Sequence, residues 1–277
     1  TSELKTTIRL ITVLQNNGIR IPLLIHGKHG IGKTEVVKQS AVELGYNCVE
    51  LHLAMQEPSD LLGLPDKSEG THTAFLCPDW MHHANNQDKP TIFFLDEINR
   101  APLMVQQVML PFVLNGTIHS HKIKPNDIII AAMNPDTEDY DVEDFSDKAL
   151  LSRFCNLYFE PPMTEWSKYC KGEKLHKSFL SSMAYFNKIV GDVSIPRNIK
   201  PEPDRRNLFK IGKALTVLPS KDIKLSKHLF SGMVGEEHSS FILKQYRETD
   251  LLDIDEILSG NVTIKSLDNS VDKINIG

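Results

Sequence analysis

The sequence predicts an α/β protein: an αβα sandwich around a five-stranded parallel sheet, followed by a small α-helical domain. Three observations carry this prediction. Short, nearly continuous apolar runs recur at residues 21–25, 91–95 and 127–133, as strands covered on both faces require. Helical patterns separate these runs, which is the alternation of βαβ units. After Pro161-Pro162 the strand signal stops and helical periodicity takes over, dividing the chain into residues 1–160 and 161–277.

Composition bounds the function classes. A chain of 277 residues is long enough to bury a real core. It has no low-complexity tract and no long apolar span, so disordered and membrane-spanning classes are excluded at this stage. A formal net charge of −5 leaves no global nucleic-acid footprint, only room for a local basic face. The cysteines Cys48, Cys77, Cys155 and Cys170 are widely spaced and none forms a C-x-x-C pair. Neither a zinc site nor a disulfide framework is indicated, and idle thiols fit a reducing compartment. The first twenty residues carry no continuous secretory h-region, so a cytoplasmic location is expected.

Taken in order, Leu4, Ile8, Ile11 and Leu14 space an amphipathic helix over residues 1–17. The strand at 21–25 then runs into Gly27-Lys28-His29-Gly30-Ile31-Gly32-Lys33-Thr34, the spacing G-x-x-x-x-G-K-T of a P-loop. Glycines let the backbone curl so that N–H groups point at phosphate oxygens, and the helix that follows adds its positive end. In this motif Lys33 reaches the β- and γ-phosphates and Thr34 holds Mg²⁺. A chance match in a glycine turn is the plain alternative. The strand before the motif and the helix after it, residues 35–44 with Gly45 as a stop, argue against that. Residues 27–35, Glu35 included, form the candidate phosphate cradle.

A second strand is read at 46–53, and a helix start in Pro58-Ser59-Asp60 with Ser59 or Asp60 as cap. Residues 63–78 read as an inserted hairpin. The apolar strand at 92–95 ends in Asp96-Glu97, carboxylates at the edge where parallel sheets bind ligands. Asp96 is placed for the Mg²⁺ hydration shell and Glu97 for polarising a water as general base. Capping of the next helix is the alternative for both. A helix at 101–114, a hairpin at 117–124 and a strand at 127–133 follow. That strand ends in Asn134, which could orient the water or touch the γ-phosphate. His82-His83 and His119-x-His121 read as solvated faces rather than metal ligands. Residues 147–154 read as a short helix ending in Arg153, and 155–159 as a final strand. Arg153 either pairs with a carboxylate of its own subunit or reaches a neighbour's γ-phosphate. Beyond the Pro pair, helices are expected within 165–189, at 207–218, as one element at 231–246, and at 254–258.

These motifs together resemble a family. GKHGIGKT at 27–34, PSDLLG at 58–63, LDEINRAP at 95–102, NGTI at 115–118, AAMNP at 131–135 and LLSRF at 150–154 are similar in order and spacing to MoxR-type AAA+ ATPases. These sit in the wider group with dynein-related ATPases and magnesium-chelatase subunits. The resemblance covers roughly residues 1–160. It implies that Asp96 and Glu97 are the Walker-B acids, Asn134 the sensor-1 asparagine, and Arg153 an arginine finger acting in trans. It further implies ATP and Mg²⁺ as cofactors, a homo-oligomeric ring that is usually hexameric, and a helical lid at 161–277. Residues 63–78 match the family's helix-2 insert and 117–124 its pre-sensor-1 hairpin. A sensor-2 arginine is expected at the start of a lid helix. Here Pro203-Asp204-Arg205-Arg206 departs from the usual Ser-Pro-Arg, and either Arg205 or Arg206 could take the role, with solvated charges as the alternative. The function implied is ATP-driven remodelling of a protein client, with a von Willebrand factor A-domain protein as an expected partner. Two other readings stay open. One is a nucleic-acid motor or restriction-type NTPase, supported by Lys122 and Lys124. The other is a non-hydrolysing, nucleotide-gated scaffold, which the intact Asp96-Glu97 pair argues against.

Overall fold

One parallel sheet positions every candidate site residue of the first half of the chain. In the computed structural model, which describes residues 1–67, 70, 73–134, 151–190 and 203–249, the chain divides into two compact units, Thr1–Glu160 and Pro161–Gly277. The first unit begins with helix α1 (Ser2–Asn16), strand β1 (Leu23–His26), helix α2 (Lys33–Leu44) and strand β2 (Asn47–His52). Helix α3 (Pro58–Leu62), the short strands β3 (Pro65–Asp66) and β4 (Ala74–Phe75), and helix α4 (Asp79–Asn85) follow. Strand β5 (Thr91–Asp96), helix α5 (Leu103–Asn115), strands β6 (Thr117–Ile118) and β7 (His121–Lys122), β8 (Ile128–Met133) and β9 (Cys155–Tyr158) complete it.

The sheet has the order β2-β5-β8-β1-β9, and all four pairings are parallel. Strand alternation sorts its side chains into two layers. Phe93 and Leu95 of β5, with Ile129 and Ala131 of β8, pack against Leu61, Met81, Val105 and Phe112 of α3, α4 and α5. Ile92, Phe94, Ile128 and Ile130 pack on the other face against Ile8 and Ile11 of α1 and Val36 and Val37 of α2. Burial on both faces explains why these strands read as apolar runs instead of alternating ones. Asp127, fully buried at the start of β8, ties two elements: its Oδ1 accepts the Thr91 N–H at 2.7 Å and its Oδ2 the Lys124 N–H at 2.8 Å.

Local chemistry sets the element ends. α2 stops at Gly45, whose φ of +73° is left-handed, as the glycine at that position predicts. β3 and β4 pair antiparallel between α3 and α4, as the expected hairpin requires. The expected cap at Ser59 or Asp60 is corrected: α3 starts at Pro58 with Glu57 as N-cap, and the Asp60 carboxylate accepts the Glu57 N–H at 2.9 Å. Proline needs no N–H and has a helical φ, so it fits the first helical position.

The second unit is helical throughout its described residues. It contains α6 (Met163–Gly172), α7 (Lys177–Ser181), α8 (Met183–Ile189), α9 (Arg205–Val217), α10 (Ser220–Leu225), α11 (Lys227–Val234) and α12 (Glu236–Thr249). Its own core joins Phe179, Phe186, Leu208, Ile211, Phe230, Ile242 and Tyr246. Two expectations are corrected. The single helix at 231–246 is two helices, because Gly235 adopts φ +84° and ψ 163°, a region closed to other residues. Arg153 does not end a helix but lies in the turn before β9. Pro135, residues 147–150, the proline-rich stretch from 193 to 202 and the helix expected at 254–258 lie outside the described residues. No helix of the described residues is long and apolar enough to cross a membrane.

Candidate nucleotide site

The loop after β1 is built to curl. Gly30 and Gly32 have φ of +71° and +97°, and Gly32 caps α2. Gly27 is required for a different reason, a close approach of two backbones. A Cβ placed there would lie 2.6 Å from the Phe159 carbonyl oxygen and 2.7 Å from Ile31 Cδ1. The Gly27 N–H donates to Met133 O at 3.2 Å and the Phe159 N–H to His26 O at 2.7 Å, so the loop start is pinned between the exits of β8 and β9.

Three neighbouring strands deliver the polar groups to one sheet edge. Lys33, 8% exposed, donates from Nζ to Gly27 O at 2.5 Å, Lys28 O at 2.9 Å and Asn134 Oδ1 at 2.9 Å. Asn134 directly follows β8, is buried, and its carbonyl accepts the Asn99 Nδ2–H at 3.0 Å. Thr34 Oγ1 donates to Asp96 Oδ2 at 3.5 Å. Burial pushes the Asp96 carboxyl up from the ordinary aspartate range, and the Glu97 N–H, donated to Asp96 Oδ1 at 3.0 Å, and the Lys33 charge offset this in part. Glu97 has φ +54°, a left-handed conformation uncommon outside glycine that turns its side chain out of the strand direction. Its Oε1 pairs with Arg100 Nη1 at 3.3 Å.

Lys33 with Asn134 and Thr34 with Asp96 are thus joined at one sheet edge, and Glu97 follows Asp96 there with its carboxylate on Arg100. Lys28, His29 and Glu35 are exposed on the loop and first turn, and Ile31 packs beneath it. Arg153 is half-buried on the same unit. Arg205 and Arg206 stand in the first turn of α9 in the second unit, the former half-buried and the latter exposed. The histidine pair of α4 is exposed, as expected. Two neighbours of Asp96 were not singled out from sequence: Glu50 and His52 on β2, which pairs in register with β5 so that His52 stands opposite Asp96. Their i, i+2 spacing was readable; which strand lies beside β2 was not.

The donor set fits a hard divalent cation and a polyphosphate. Thr34 Oγ1 and Asp96 Oδ2 are 3.5 Å apart, near the ~3 Å between adjacent ligands of an octahedral ion with bonds of ~2.1 Å. A curled glycine loop, a buried lysine and a helix N-terminus supply the complement to phosphate.

Residues 22–154 match the AAA domain of the dynein-related subfamily. The matched stretch runs from just before β1 through the turn that carries Arg153, just under half of the chain. It contains every site residue above except Arg205 and Arg206. No curated protein is a significant match. Among solved structures, the chain is similar to the Thermotoga maritima RuvB Holliday junction branch migration motor. Identity is 13% and the TM-score 0.50, over 91% of this chain and 70% of that one. Two single-residue variants of the same protein give 14% identity, with TM-scores of 0.52 and 0.51, over 91% of this chain and 70% and 71% of theirs. At this identity the likeness shows the fold: a P-loop αβα sandwich with a helical region after it.

Proposed function

We propose that this protein is a MoxR-type AAA+ ATPase that hydrolyses ATP in a homo-oligomeric, hexameric ring and remodels a protein client. The observation that carries the reading is the convergence of Lys33, Thr34, Asp96, Glu97 and Asn134 on one edge of three neighbouring strands. Lys33 and the loop amides hold the phosphates. Thr34 and Asp96 hold Mg²⁺, which when bound neutralises developing phosphate charge. Glu97 takes the proton of the attacking water, and Asn134 orients that water against the γ-phosphate. Arg153 of a neighbouring subunit completes the charge stabilisation. Residues 1–160 act as the nucleotide-binding core and 161–277 as the lid, with Arg205 or Arg206 sensing nucleotide. ATP is the nucleotide, and a von Willebrand factor A-domain protein the partner, that the sequence resemblance favours, in the cytoplasm.

A nucleic-acid motor is the second reading, and the RuvB likeness speaks for its fold only. Of the two lysines that supported it, Lys124 is engaged: its Nζ donates to the carbonyls of Ala84, Gln87 and Lys89 at 2.9, 2.9 and 2.7 Å. Of these two lysines, Lys122 is the exposed one.

The test is mass against nucleotide state with the Glu97→Gln variant, which retains ATP. A six-fold species formed with ATP supports the ring. A monomer in every condition leaves ATP binding but removes the remodelling mechanism in favour of a nucleotide-gated scaffold. Arg153→Ala should bind ATP and turn over orders of magnitude more slowly. Mixing it with Glu97→Gln subunits should restore some turnover. Stimulation of turnover by DNA with a steep salt dependence would select the motor.

A further inference from the structure

We propose that Glu50, His52 and Asp96 form a site for a borderline divalent cation, of the class of Mn²⁺, Co²⁺ or Zn²⁺, that loads without nucleotide. One ligand atom from each of the three residues lies within 4.8 Å of the others. The imidazole stands between the carboxylates: Nε2 is 3.6 Å from Glu50 Oε1 and Nδ1 is 3.8 Å from Asp96 Oδ2. Both separations are too long for hydrogen bonds, and because one imidazole gives a single ion only one of its two nitrogens, an ion takes that nitrogen with the carboxylate facing it and draws in the third group from within 4.8 Å. The three side chains are held on one face by adjacent parallel strands, since Glu50 and His52 alternate on β2 and His52 pairs with Asp96. Access is open, because His52 is 53% exposed while Glu50 and Asp96 are at 20% and 17%. Imidazole with two carboxylates favours first-row transition ions and zinc over Mg²⁺, which prefers oxygen and water.

This assignment differs from the Thr34–Asp96 pair and rests on none of the phosphate-binding groups. It shares one residue with that pair. An ion here therefore takes Asp96 and competes with Mg²⁺ for it. The competitor for the site within the protein is Lys38, whose Nζ lies 2.5 Å from Glu50 Oε2. That contact predicts effects of opposite sign from two substitutions.

The experiment is titration of the nucleotide-free full chain with Co²⁺, read by calorimetry and by the visible d–d absorption of the ion. One ion per chain is expected. His52→Ala should weaken binding by at least the roughly 10–100-fold seen when only supporting groups of a metal site are lost. Glu50→Gln should weaken it, and Lys38→Met should tighten it by freeing the carboxylate. The double variant His82→Ala, His83→Ala, on the exposed face of α4, should bind as the wild type does. Equal binding by wild type and His52→Ala, loss of binding in the α4 variant, or no ion bound by the wild type overturns the proposal. If His52→Ala does not fold, the Lys38→Met comparison decides: unchanged or weaker Co²⁺ binding overturns it. MgATP binding by the wild type, measured separately, reports on the nucleotide reading independently.

Discussion

Replacing Asp127 by alanine should destabilise the first unit without touching the candidate site. Its carboxylate is fully buried and accepts the N–H of Thr91 at 2.7 Å and of Lys124 at 2.8 Å. Hydrogen bonds to a charged acceptor contribute about 1.5–3 kcal/mol each. Thr91 is itself fully buried, so its N–H loses its partner outright, whereas Lys124 is half-exposed and water can replace the carboxylate there. Removing a desolvated charge returns part of the loss. The balance is about 2–4 kcal/mol, or on the order of 5–15 °C in Tm for a unit of this size. Asparagine should rescue little, because its amide offers one acceptor and turns a donor toward the second N–H. Thermal unfolding followed by circular dichroism measures both variants. An alanine variant that melts within about 2 °C of the wild type would refute the reasoning, since burial of the carboxylate would then cancel its two bonds.

Gly27→Ala places a methyl group against a pinned carbonyl, so the loop must move. Overpacking of this kind costs about 1–3 kcal/mol, and calorimetry with inorganic tripolyphosphate should show at least a severalfold loss of affinity. Gly235→Ala should lower Tm by several degrees, because its φ of +84° and ψ of 163° cost a side chain about 1–3 kcal/mol. An unchanged melting curve would mean that α11 and α12 can join. Cys170 is buried, and burial pushes its thiol up to about 12, so the folded state keeps a proton that the unfolded chain loses near 8.5. Stability should therefore fall as pH rises above ~8.5, by up to about 1.4 kcal/mol per pH unit, until the folded thiol ionises. Cys170→Ala should flatten that slope in urea unfolding. At pH 8 a maleimide should modify exposed Cys155 and spare Cys170.

The parts of the site that were legible in the sequence are those whose chemistry is local. Gly27 to Thr34 must curl wherever it occurs, and the apolar run before Asp96 must end at a sheet edge. What was hidden depends on neighbours across the sheet. Glu50 and His52 became relevant only when β2 was found beside β5. Lys124 looked like a free charge on a hairpin until the fold brought three carbonyls to its Nζ. In the helical unit, the apolar rhythm continues through Gly235, so periodicity alone joined two helices. At α3 the polar residues Ser59 and Asp60 drew the cap, while proline moved the helix start earlier, to Pro58 with Glu57 as the cap.

The contacts of Lys33 carry a thermodynamic consequence. Its ammonium group already has three oxygen acceptors, two from its own loop and one from Asn134. On the proposed reading, a phosphate arriving here would not add bonds to an empty cation; it would trade places with an internal ligand set. The enthalpy of loading is thus a difference between two well-satisfied states. On that reading the trade would also release the Asn134 amide, and occupancy of the loop after β1 would be announced at the end of β8 by a side chain set free to turn.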